Sequence, residues 1–93
     1  MKSRVKIRKS EARIAAMAAP LADKLHVNIK RLALVKEAGN LILRVILEKT
    51  GGVDLNDCEK FSRELSRLLD QADLIQENYF LEVTSPGIEE GEE

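Results

Sequence analysis

Two runs of strict alternation, one on each side of a helical stripe, constrain this chain most. Leu41, Leu43, Val45 and Leu47 recur with a period of two, and so do Tyr79, Leu81 and Val83. Each set therefore lines one face of an extended strand. Between them Cys58, Phe61, Leu65, Leu68, Leu69 and Ala72 recur at helical spacing and form the buried stripe of an amphipathic helix. Strand, helix, strand in that order implies a crossover connection, which favours a parallel relation between the two strands. The opposite phase of each strand is more polar. It holds Ile42, Arg44, Ile46 and Glu48 in the first and Phe80, Glu82 and Thr84 in the second.

Upstream, residues 27–35 read as a further strand. Val27 and Ile29 share one phase and Leu32 and Leu34 the other, which a bulge or a late strand start reconciles. Glu37-Ala38-Gly39-Asn40 is the turn that makes a hairpin with the next strand. Before it, Ile14, Met17, Ala18, Leu21, Ala22 and Leu25 form the stripe of a first helix. Ser10 is its expected N-cap, with Glu11 in the first turn. Pro20 predicts a bend or a helix that begins late. His26 falls at the helix exit, where it caps the last turn or faces solvent. Asp54 or Asn56 caps the second helix, and Asn56 with Glu59 would make a capping-box-like pair. Glu59–Arg63 and Glu64–Arg67 are spaced to pair along its exposed side. Ser85-Pro86-Gly87 stops the last strand. These elements predict an α+β, two-layer helix–strand–strand–helix–strand domain, with both helices on one face of a three-stranded mixed sheet. The preferred strand order is 2-1-3, with the first strand antiparallel to both neighbours.

At 93 residues the chain makes one domain. It has no Trp and only 3% aromatic residues, so the core is built from Leu, Ile, Val and Ala. The single Cys58 excludes an intrachain disulfide and a cysteine-based metal site, and suits a reducing cytoplasm. No segment approaches the roughly eighteen apolar residues of a membrane span. The net charge of −1 conceals a polar arrangement. Lys2, Arg4, Lys6, Arg8 and Lys9 precede Ser10, whereas Glu89, Glu90, Glu92 and Glu93 crowd the other end. The organisation expected is a flexible basic arm over 1–9, a folded domain over 10–87 and an acidic tail over 88–93. With Arg13, the five cations of the arm are the candidate RNA contacts, although such an arm also serves solubility.

No catalytic constellation is legible. Ser62, Ser66 and Ser85 lack a recognisable base, because His26 is the one histidine and has no identifiable orienting carboxylate. Asp54, Asp57 and Glu59 suit a helix entrance better than a cation site. Gly51-Gly52 lacks the lysine and hydroxyl residue of a phosphate loop, and the chain has no Gly-x-x-Gly nucleic-acid clamp. No cofactor, metal or enzymatic activity is expected; the chain reads as a binding module.

The run Gly51-Gly52-Val53-Asp54-Leu55-Asn56-Asp57-Cys58-Glu59 continues through Ser62, Leu65, Leu69 and Asp70 to Tyr79-Phe80-Leu81-Glu82-Val83-Thr84-Ser85-Pro86-Gly87. With Leu43-Arg44-Val45-Ile46-Leu47 and Pro20 upstream, it resembles the N-terminal domain of the bacterial ribosome maturation factor RimP. The resemblance implies a KH-like general shape and a cytoplasmic assembly factor. It also implies partners: the immature small ribosomal subunit, met through a ribosomal protein and nearby RNA. In the family a leucine- and arginine-containing junction and a second, barrel-like domain follow Ser-Pro-Gly. Here Ile88-Glu89-Glu90-Gly91-Glu92-Glu93 follows, so that domain is expected to be absent. Glu82, Thr84, Ser85, Pro86 and Gly87 are the candidate interdomain or partner contacts. The alternative is a protein-interaction domain without direct RNA contact. A compact apolar or mixed surface patch would favour it, and a continuous basic surface would favour RNA.

Overall fold

A computed structural model describes residues 2–75 and 77–86, with side chains from Arg8 onward. The elements are α1 (Lys2–Leu25), β1 (Asn28–Glu37), β2 (Asn40–Glu48), α2 (Leu55–Ala72) and β3 (Tyr79–Thr84). β1 pairs antiparallel with β2, and β3 lies parallel to β2 across the crossover through α2. The mixed three-stranded sheet has the order β1-β2-β3, which corrects the 2-1-3 expectation. β2 is apolar in both phases, with Leu41, Leu43, Val45, Ile46 and Leu47 all buried. A strand of that kind loses most at an edge. β1 instead carries Lys30, Arg31, Lys36 and Glu37, all exposed, which suit an edge strand.

Both helices cover the same sheet face. Ile14, Ala18, Leu21 and Ala22 of α1 join Phe61, Leu65 and Leu69 of α2 and Leu34, Leu41, Leu43, Val45 and Leu47 of the sheet in one core. The α2 stripe ends one turn sooner than its spacing suggests, since Leu68 is half-buried and Ala72 exposed. The bulge in β1 lies where the two apolar phases meet. Ile29 opposes Leu47 and Arg31 opposes Ile46, which leaves Lys30 as the extra residue. That one insertion lets Ile29, Leu32 and Leu34 all reach the helical layer.

α1 departs furthest from expectation. It begins at Lys2, so residues 2–9 are helical and Ser10, the expected N-cap, lies inside the helix. Lys and Arg are good helix formers, and no Gly or Pro interrupts residues 2–19. Glu11, now mid-helix, accepts the Leu34 amide of β1 at 2.7 Å. α1 also runs through Pro20 without a break. Pro20 and Ala16 are exposed, so water can solvate the Ala16 carbonyl that loses its amide partner. The helix closes at His26, whose φ of 61° is left-handed. The amide of His26 donates to Asp23 at 3.2 Å and that of Val27 to Ala22 at 3.0 Å. This is the paired closure of a Schellman motif, sealed by the packing of Val27 into the core. Val27, read as strand, thus belongs to the helix cap.

The hairpin turn shrinks to Ala38-Gly39, because Glu37 and Asn40 are themselves paired. Both turn residues have positive φ, 51° and 82°, as a type I′ turn requires. The N-cap of α2 is Asp54 rather than Asn56. The Asp57 amide donates to Asp54 Oδ1 at 2.8 Å, and the Asp54 amide donates to Asp57 Oδ2 at 3.1 Å. This reciprocal box, backed by Lys49 at 3.3 Å from Asp57, accounts for both aspartates at the helix entrance.

Candidate interaction surfaces

Pleating turns the second phase of each strand away from the helices. The register then aligns these residues in rows across the sheet. Val35, Ile42 and Phe80 form one row, Ala33, Arg44 and Glu82 the next, and Arg31, Ile46 and Thr84 the third. The first row is apolar and accessible. Val35 and Ile42 are half-buried and Phe80 is 63% exposed. Among the described residues no helix lies over this face.

The middle row is held by charge. Arg44 donates through Nε and Nη2 to Glu82, both at 3.2 Å, and through Nη1 and Nη2 to Glu37 at 3.1 and 3.2 Å. One guanidinium thereby clamps a carboxylate from each neighbouring strand with paired donors. Hydrogen bonds from Arg44 hold the Glu37 carboxyl below its ordinary range, and the two carboxylates raise Arg44 above its own. The face therefore offers an apolar ledge beside a charged row in which one arginine holds two carboxylates. Sequence reasoning assigned Glu82 to a partner contact and missed its link to Arg44. The available signal was a lone cation inside an otherwise apolar strand.

The other proposed contact residues behave differently from one another. Ser85 is 5% exposed and belongs to the interior. Thr84 and Pro86 are half-buried, and Thr84 Oγ1 is shielded without a hydrogen-bond partner among the described residues. Gly87 and the acidic tail lie outside the described residues. Of the candidate RNA contacts, Arg8, Lys9 and Arg13 are exposed on α1. Lys9 and Arg13 are four residues apart and share a helix face. Lys2, Arg4 and Lys6 fall in the first turns of α1, and their side chains lie outside the described ones.

Among the described residues no group of three or more His, Cys, Asp or Glu is placed to hold a metal ion. No described helix is long and apolar enough to cross a membrane. Cys58 is buried and free, and burial raises its thiol pKa, which suppresses the reactive thiolate. The family model described as the RimP N-terminal domain matches residues 17–89. The match covers both strand pairings, the Asp54 entrance to α2 and the open-face rows. The chain belongs to the RimP N-terminal domain family, whose role lies in ribosome maturation.

Proposed function

We propose that this domain is a non-catalytic ribosome-maturation module that binds the immature small ribosomal subunit and assists its assembly in the cytoplasm. Family membership is the observation that carries this reading. The Val35–Ile42–Phe80 row supplies a surface of the kind a folded ribosomal protein docks on, and it ends in an exposed aromatic. Arg8, Lys9 and Arg13, with the cations before them, supply the charge for nearby RNA. The second domain of a RimP-like protein remains the proposed partner of the β3 exit at Glu82, Thr84, Ser85, Pro86 and Gly87.

One observation favours the alternative of a protein-interaction domain without direct RNA contact. The family match begins at Met17, so all six candidate RNA-binding cations lie outside it, whereas Val35, Ile42 and Phe80 lie inside. Titrating the domain against immature and mature small subunits, with and without the docking ribosomal protein, tests both readings. Preferential, protein-dependent binding to the immature subunit is expected. A Phe80→Ser change should weaken it about fivefold or more, as truncating an interface anchor does, without unfolding the domain. Binding to neither subunit by the folded chain would refute autonomous ribosome recognition. Binding that neutralising Arg8, Lys9 and Arg13 leaves unchanged would select the RNA-free alternative.

A further inference from the structure

The two edges of the sheet are not alike. On β1 the Leu34 amide is taken by the Glu11 carboxylate at 2.7 Å. β3 forms the other edge and pairs with β2 alone among the described residues. Its outer flank thus presents backbone donors and acceptors with no strand beside them. Next to that edge runs a groove of about 600 Å³ between β3 and the first half of α2. Leu55, Cys58 and Ser62 line it on the helix side, with Leu81 and Val83 on the strand side. Leu55 is the most exposed large apolar residue described, at 72%. It sits on α2 while Phe80 sits on the open face, so the groove is a second surface with its own apolar marker.

We propose that this groove binds an extended polypeptide segment, which adds to the free edge of β3 as a fourth strand and sets alternate apolar side chains against Leu55, Leu81 and Val83. This goes beyond the ribosomal reading; of the residues assigned to that reading it uses only the β3 backbone at Phe80, Glu82 and Thr84. An edge strand offers main-chain hydrogen bonds at the spacing of another strand, and only an extended peptide matches them along their length. Every second side chain of such a peptide turns toward α2, where Leu55 and Cys58 of the helix face Leu81 and Val83 of the strand. Charge argues against a nucleic-acid strand in the same place. Among the lining residues Glu59 and Arg63 balance, and the Glu82 carboxylate is held by Arg44 on the open face, so phosphates find no positive track there.

The test uses the whole chain and a displayed library of random dodecapeptides. Selected peptides should carry apolar residues at alternate positions. On titration they should shift alternate amides of 79–84 and protect them from hydrogen exchange, because outward N–H groups gain partners while inward ones already have them. Ser62→Trp, which fills the groove, should weaken binding about tenfold or more. Leu55→Ala changes an exposed side chain, so the fold survives it, and it should weaken binding about fivefold. Phe80→Ser on the open face should leave the affinity for the selected peptides unchanged. Failure to select any binder, binding indifferent to both groove variants, or shifts confined to the Phe80 face would each overturn the proposal. So would an oligouridylate that shifts the β3 amides and competes with the peptides.

Discussion

Leu65 lies at the midpoint of α2 and is 0% exposed, packed in the cluster that joins both helices to the sheet. Leu65→Ala deletes three buried carbons, and at about 0.8 kcal/mol each the lost transfer term alone exceeds about 2 kcal/mol. The space left lies between two helices and a sheet, which cannot all close on it together, so a cavity term adds to the loss. The expected cost is about 3–4 kcal/mol, inside the usual span for buried leucine truncations. For a small domain whose whole stability is of order 5–10 kcal/mol, that removes a third or more of it. The melting temperature should fall by roughly 15–25 °C. Far-UV circular dichroism under urea is the suitable assay, since the chain has no Trp to report by fluorescence. Leu55→Ala, at a site 72% exposed, is the internal control and should shift stability by less than about 0.5 kcal/mol. A Leu65→Ala cost below about 1 kcal/mol at unchanged m would refute the packing described for α2.

Ala38→Gly should raise the urea midpoint, with a net gain of about 0.5 kcal/mol. Its φ of 51° strains an L-residue, and glycine's greater freedom when unfolded offsets only part of the relief; a lowered midpoint would contradict the turn geometry. The Asp57 carboxyl is held below its ordinary value, chiefly by the Asp54 amide and further by Lys49, while burial opposes them. Its stabilising effect is therefore present above the unfolded value and lost as pH falls through that value and then the folded one. Asp57→Asn should flatten the decline of stability between about pH 5 and pH 2, and an acid limb identical to wild type would refute the assignment. Neutralising Arg8, Lys9 and Arg13 should leave unfolding within about 0.5 kcal/mol. It should lower RNA affinity at low salt and reduce the salt slope by about 0.7–0.9 for each phosphate no longer neutralised, whereas an unchanged slope would remove these residues from any RNA interface.

Much of the fold was legible because burial follows period. The alternation at 41–47 and 79–83 and the stripe through Phe61 and Leu65 name the faces that pack, and the phase change between Ile29 and Leu32 marked a real bulge. Periodicity reports which face is buried but not which strand is the neighbour, and there the reading of strand order failed. The missed cue was the apolar content of β2 in both phases, with Ile42 and Ile46 opposite Leu43 and Val45. Ser10 misled because a good capping residue is also tolerated within a helix whose flanking Lys and Arg sustain it. Asp54 was one of two equal candidates for the α2 cap, and only the reciprocal bonds with Asp57 separate it from Asn56. On the open face, the phase shared by Phe80, Glu82 and Thr84 was visible. Their alignment with Val35, Ile42 and Arg44 required the register, which no single strand encodes.

The Glu11–Leu34 hydrogen bond also bears on how copies of this chain can associate. A sheet grows without limit only if each added copy leaves a fresh edge for the next. Here a carboxylate sits against the backbone of β1, and any incoming strand would have to displace it from the Leu34 amide and leave the half-buried Glu11 without that donor. Among the described residues the free edge is that of β3, and joining two copies through it consumes both such edges at once. The geometry permits a pair and opposes a filament. A small domain with one exposed strand can thus resist open-ended stacking through a single glutamate that reaches from a helix to the opposite edge.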